Sequence, residues 1–152
     1  MGSDEAPASA RASDAAEAPG DGWLAPFELT VPARPHAAAA ARTALGEWLG
    51  DNVPDRLLDD ARLLVTELVT NCVRHGHLPA DAPIWIRADL ANGILRLEVR
   101  DPGERGTVAP RTPDLTIGAG YGLHLVDLLA ARWGISRTRG THVWLELAHD
   151  VA

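Results

Sequence analysis

Three side chains stand at four-residue steps in the stretch "ELVTNCVRHG": Glu67, Asn71 and His75. At about 100° per residue, such steps stack side chains along one side of a helix. A carboxylate one turn from an amide can hold a divalent cation, or a water poised for proton transfer. Mg²⁺ takes hard oxygen ligands, one or two from protein and the rest from phosphate and water. Glu67 would then be a base and Asn71 a carbonyl-oxygen donor. The same spacing also fits a hydrogen-bonded polar pair at a helix end, and spacing alone does not choose.

Two further islands have chemical content. "DPGERG" begins at Asp101, directly after the strand-like "LRLEVR". An acid followed two residues later by glycine is a common turn. Functionally, Asp101 can accept a hydrogen bond from an exocyclic amine, and Gly103 leaves room for a flat ring. "GAGYGLHLV" places glycine at 118, 120 and 122 ahead of a helix. Glycine lets the backbone approach a phosphate, and a helix N-terminus supplies free N–H groups. A flexible hinge would look the same. No "GK[ST]" follows and no strand directly precedes, so neither a Walker loop nor a dinucleotide fingerprint is present.

These islands need a scaffold. "FELTVPA" alternates Phe27, Leu29 and Val31, a strand pattern. "RPHAAAAARTALGEWLGD" predicts a helix ending near Gly50. "VPDRLLDDARLLVTELVTNCVRHG" predicts a longer one, opened by Pro54 and acids and closed at Gly76. Leu57, Leu64, Val65, Leu68, Val69 and Cys72 fill its apolar arc, with Glu67 and Asn71 at the border. "IWIRADL" and "ILRLEVRD" flank Asn92-Gly93, a hairpin signal. Residues 102–119 read as a loop. "YGLHLVDLLAARWG" predicts a third helix, and "GISRTRGTHVWLEL" two more strands around Gly140. Five strands and three helices in mixed order predict an α+β fold: a two-layer α/β sandwich, its mostly antiparallel sheet covered on one face by helices.

Composition bounds the rest. The chain has 152 residues and a net charge of −7, and all 14 basic residues are arginine. Residues 1–22 hold Asp4, Glu5, Asp14, Glu17 and Asp21 against Arg11 alone. This Ala/Pro/Ser-rich acidic tail is expected to be disordered, and 23–150 to form one domain. The mild acidity of the remainder argues against direct nucleic-acid binding. A single cysteine, no signal-peptide pattern and no membrane-length apolar run predict a cytoplasmic protein. Cys72 lies in the apolar arc and reads as a buried thiol. No serine sits in G-x-S-x-G, and His75, His77 and one cysteine make no zinc pattern. Trp48, Trp85, Trp133 and Trp144 sit in apolar patterns and are expected in the core.

With these islands in this order, residues 25–148 resemble the nucleotide-binding domain of the GHKL superfamily, and most of all the anti-sigma-factor serine/threonine kinases. "DDARLLVTELVTNCVRHG", "VRDPG", "GYGLHLVDLLAARWG" and "GTHVWLEL" carry the resemblance. It implies ATP and Mg²⁺ as cofactors. Glu67 would be the general base and Asn71 the Mg²⁺ ligand; Asp101 and Gly103 would belong to the first glycine box, with Asp101 on the adenine amino group. Gly120, Gly122 and Leu123 would surround the phosphates, and Thr141 would support the adenine through water. It further implies γ-phosphate transfer to a serine of an antagonist protein, binding of a sigma factor, and a homodimer through the first strand and helix. One departure stands out. The first glycine box usually reads D-x-G-x-G, whereas Arg105 takes the fifth place here and Gly106 follows. That degeneracy favours an alternative: a nucleotide-gated binding module without significant transfer.

Overall fold

The computed structural model describes residues 24–103 and 121–148. Strand β1 (Phe27–Pro32) leads to helix α1 (Ala37–Leu49), a single 3-10 turn (Gly50–Asn52) and the long helix α2 (Asp55–His75). Strands β2 (Pro83–Ala91) and β3 (Ile94–Asp101) follow, then helix α3 (Tyr121–Leu129) and strands β4 (Arg132–Ser136) and β5 (Thr141–Ala148). The five strands form one sheet in the order β1-β2-β3-β5-β4. Every neighbouring pair is antiparallel. The fold is thus the expected α+β sandwich.

Alternation decides which side of the sheet the helices cover. Ile84, Ile86, Ala88 and Leu90 of β2 are buried, as are Leu95, Leu97 and Val99 of β3 and Leu145 and Leu147 of β5. The apolar arc of α2, from Leu57 through Leu64, Val65, Leu68 and Val69 to Cys72, is buried as well. α2 packs on β3 and β5, and α1 packs on α2 and β1. Gly46 sets the approach of α1 to α2. A β-carbon there would lie 2.7 Å from Arg62 Nε.

The hairpin turn forms as its sequence predicts, with Asn92 at φ 52° and Gly93 at φ 76°, the left-handed pair of a type I′ turn. Two expectations need correction. The third helix was expected to run to Gly134, but α3 stops at Leu129. The Ala130 N–H still donates to the Val126 carbonyl, while that of Ala131 donates across to Glu146 of β5. Sheet pairing wins there, because Trp133 and Ile135 alternate onto the helix-covered face opposite Leu145 and Val143. The second correction concerns tryptophan. Trp48 and Trp133 pack against the core, but Trp85 is 40% exposed. Trp85 and Trp144 both lie on the other, open face of the sheet. Their neighbours there are Arg100 over Trp85 at 5.6 Å and Arg96 over Trp144 at 4.4 Å. The acidic tail and, of the loop expected over 102–119, residues 104–119, with Gly118, Gly120, Arg105 and Arg111, lie outside the described residues.

Candidate functional site

Strand β3 sends Leu95, Leu97, Val99 and finally Asp101 to the helix-covered face. The last of these breaks the apolar series with a carboxylate that is 1% exposed. Among the described residues, the buried polar or charged side chains are Asp101 and Thr141. They are direct cross-strand partners in the β3–β5 register. A buried carboxylate is costly unless hydrogen bonds compensate it. Asp101 Oδ1 accepts the backbone N–H of Gly103 at 2.8 Å, a tight turn closing the strand.

Glycine makes that turn fit. A β-carbon on Gly103 would lie 2.8 Å from the Gly76 carbonyl oxygen and 3.0 Å from Leu78 Cδ2. The segment after β3 therefore presses against the C-terminal end of α2. On the other side, Gly140 has φ 82°, and a β-carbon there would meet the Asp101 carbonyl oxygen at 2.1 Å. The β4–β5 turn thus closes over Asp101 and Pro102, and only glycine has both the space and the conformation.

The polar ladder occupies the same end of the molecule. Glu67 and Asn71 are half-buried on α2, at the edge of its apolar arc, and His75 is exposed at the last helical position. The helix ends on buried Gly76, whose N–H donates to Cys72 O. The left-handed reversal is made by His77, at φ 53°. Helix α3 packs against α2. Its first turn holds Gly122, and Leu123 is half-buried.

The structure therefore gathers the C-terminal end of α2, the Asp101–Gly103 turn and the Gly140–Thr141 corner. Among the described residues no group of three or more His, Cys, Asp or Glu could hold a metal. Glu67 and Asn71, one turn apart on α2, are oxygen donors that could hold a cation together with a nucleotide's phosphates.

One feature was not foreseen from the sequence. A cavity of about 610 Å³ opens at the same end of the sheet, lined by Trp85, Arg100, Gly103, Arg137, Arg139 and Thr141 among others. Trp85 and Arg100 belong to the open face, and neither Glu67 nor Asn71 lines it. The arginines of "SRTRG" were its sequence signal, but nothing local ties them to Arg100.

The model of the histidine kinase-like ATPase domain matches residues 31–147. The chain belongs to this family. The match runs from β1 to β5 and so covers α2, Asp101 and Thr141 within one unit. No curated protein matches the chain significantly. Membership in the histidine kinase-like ATPase family makes this an ATP-binding domain. No helix among the described residues is long and apolar enough to cross a membrane.

Proposed function

We propose that this domain is a protein serine/threonine kinase of the anti-sigma-factor type, passing the γ-phosphate of ATP to a serine of an antagonist protein and binding a sigma factor. The observation behind this reading is Asp101, a carboxylate 1% exposed at the end of a core strand. One of its oxygens accepts the Gly103 N–H and closes the turn after β3. Asp101 lies beside Thr141, at the end of the sheet against which α2 terminates.

In this reading Asp101 accepts a hydrogen bond from the adenine amino group, and Thr141 supports the ring through water. The phosphates extend toward the start of α3, beside Gly122 and Leu123; Gly120, outside the described residues, belongs to the same glycine box by resemblance. Asn71 would hold Mg²⁺, which when bound neutralises phosphate charge. The rest is positioning by the chain. The substrate serine oxygen forms a bond to the γ-phosphorus as the bond to the β,γ-bridging oxygen breaks, and ADP leaves. The serine proton passes to the Glu67 carboxylate. A half-buried carboxylate on a rigid helix suits that role, because it is held in place yet open to an incoming hydroxyl. A homodimer through β1, the sheet's edge strand, and α1 belongs to the same reading; a monomer in sedimentation at high concentration would remove it.

The test is transfer of label from γ-labelled ATP to a purified antagonist. Glu67→Ala should slow transfer by about 10²–10⁴-fold while ATP still binds. Unchanged transfer would remove Glu67 as the base. ATP binding without any transfer by the wild type would leave the nucleotide-gated binding module instead.

A further inference from the structure

Arginines and carboxylates share the open face of the sheet. In the middle, Arg87 pairs with Glu28 at 2.6 Å, Arg96 with Glu98 at 2.9 Å and Glu146 at 3.2 Å, and Arg132 with Glu146 at 3.5 Å. The 610 Å³ cavity lies at one end of this face. Arg100, Arg137 and Arg139 line it, and none of its described lining residues is Asp or Glu. Asp101, next in the chain, turns to the opposite face. Trp85 adds an indole that is 40% exposed. The guanidinium groups of Arg100 and Arg139 in one concave space suit carboxylates, which arginine binds in a fork geometry.

We propose that this cavity binds an acidic peptide segment, and that its resident occupant is the chain's own N-terminal segment, residues 1–22. Charge complementarity is the first reason. That segment holds five carboxylates against one arginine, three of them (Asp14, Glu17 and Asp21) close to the fold. Reach is the second. β1 begins at Phe27, three residues along from Thr30, which pairs with Trp85 of the cavity wall. Phe27 is then about 10 Å along the strand from the level of the cavity, and Arg100 is about 10 Å across, two strands away. The six residues from Asp21 to Phe27 span at most about 20 Å. Asp21 therefore comes within range, and Glu17 and Asp14 have more chain to spare. Tethering is the third. A segment on the same chain meets the cavity at an effective concentration of about millimolar, so weak, exposed ion pairs suffice. Ala18 and Pro19, between Glu17 and Asp21, supply apolar surface for the indole of Trp85.

The test uses the full chain in two forms: wild type, and a variant with D4N, E5Q, D14N, E17Q and D21N. The probe is a fluorescent peptide of residues 1–22. The neutralised chain should bind it, and wild type should bind it at least about tenfold more weakly, since its own segment competes at high effective concentration. Adding Arg100→Gln and Arg139→Gln to the neutralised chain should cost about tenfold, and raising salt to about 0.5 M should weaken binding further. The Trp85 indole N–H resonance, assigned by Trp85→Phe, should shift between wild type and neutralised chain in an otherwise retained spectrum. Equal affinity of the two chains for the peptide would overturn the proposal. So would indifference to the arginine substitutions, or displacement of the peptide by inorganic phosphate as readily as by unlabelled peptide, which would make the cavity a phosphate site. No nucleotide enters the assay, so its outcome is separate from that of the kinase reading.

Discussion

The two faces of the sheet carry opposite kinds of exception. The helix-covered face is apolar along every strand until β3 ends, where Asp101 and Thr141 interrupt it side by side. The open face is charged along every strand, and its apolar exceptions include the rings of Trp85 and Trp144 and the side chain of Ile94. Trp144 has a structural reason. Trp144 lies over Gly134, where a β-carbon would come 2.7 Å from its indole nitrogen, so the ring fills space a side chain would occupy. Arg96 and Arg132 stack on it and reach the carboxylates around it. Asp101 has a local role, since its Oδ1 accepts the Gly103 N–H, but it stands where β3 elsewhere turns Leu95, Leu97 and Val99 inward. A carboxylate in a core position is costly unless hydrogen bonds compensate it, and the proposed reading puts the adenine beside it.

Substitutions on the two faces sharpen this contrast. The largest loss should come from the inner apolar face. Leu97 is fully buried, and Leu97→Ala should lower unfolding free energy by about 2–5 kcal/mol in denaturant titration. The corner that shapes the Asp101 site comes next. Gly140→Ala combines φ 82° with a 2.1 Å approach to the Asp101 carbonyl, and should cost about 1–3 kcal/mol and weaken ATP binding together with stability. The open face should matter least. Arg96→Ala removes contacts to Glu98, Glu146 and Trp144, yet all are partly exposed, so about 1 kcal/mol or less is expected.

The Arg96 network also has a pH signature. Burial pushes the Glu98 carboxyl upward, but hydrogen bonds from Arg96 and His142 outweigh it and hold its pKa below the ordinary 4.5. A carboxyl lowered in the folded state stabilises the fold above its unfolded pKa. That contribution is lost as pH falls below about 4.5 and through the lowered value. The acid limb of stability against pH should therefore flatten in Arg96→Gln. An identical limb in the variant would show that the network contributes nothing there.

How much of this was legible in the sequence follows from the range of the interactions. α2, the hairpin and its turn are fixed by residues close in the chain: the apolar spacing from Leu57 to Cys72, and Asn92-Gly93. They were read correctly. The end of α3 was not, because the Ala131 N–H is claimed by Glu146, far along the chain. Trp85 and Trp144 were misplaced because residue type was given more weight than alternation. "IWIRADL" puts Trp85 in phase with Arg87 and Asp89, not with Ile84 and Ile86. At the site, the motifs identified Asp101, Gly103 and Thr141 singly. Their convergence depends on the β3–β5 register and on the contact of Gly103 with Gly76, neither of which the sequence spells out. The arginine-lined cavity is wholly non-local, since Arg100, Arg137 and Arg139 meet only once β3 and the β4–β5 turn are in place.

Calorimetric titration with ATP, with and without Mg²⁺, on wild type, Asp101→Asn and Asn71→Ala would decide whether the polar corner of the inner face is the nucleotide site. Wild type should bind ATP more tightly with Mg²⁺. Asp101→Asn should lose about 100-fold or more, because a carboxylate that accepts from the adenine amino group becomes an amide that presents a donor there, while its thermal midpoint stays at or above that of wild type. Asn71→Ala should remove the Mg²⁺-dependent part of the affinity alone. ATP binding unchanged in a folded Asp101→Asn protein would contradict the placement of the adenine, and with it the functional meaning of that buried carboxylate.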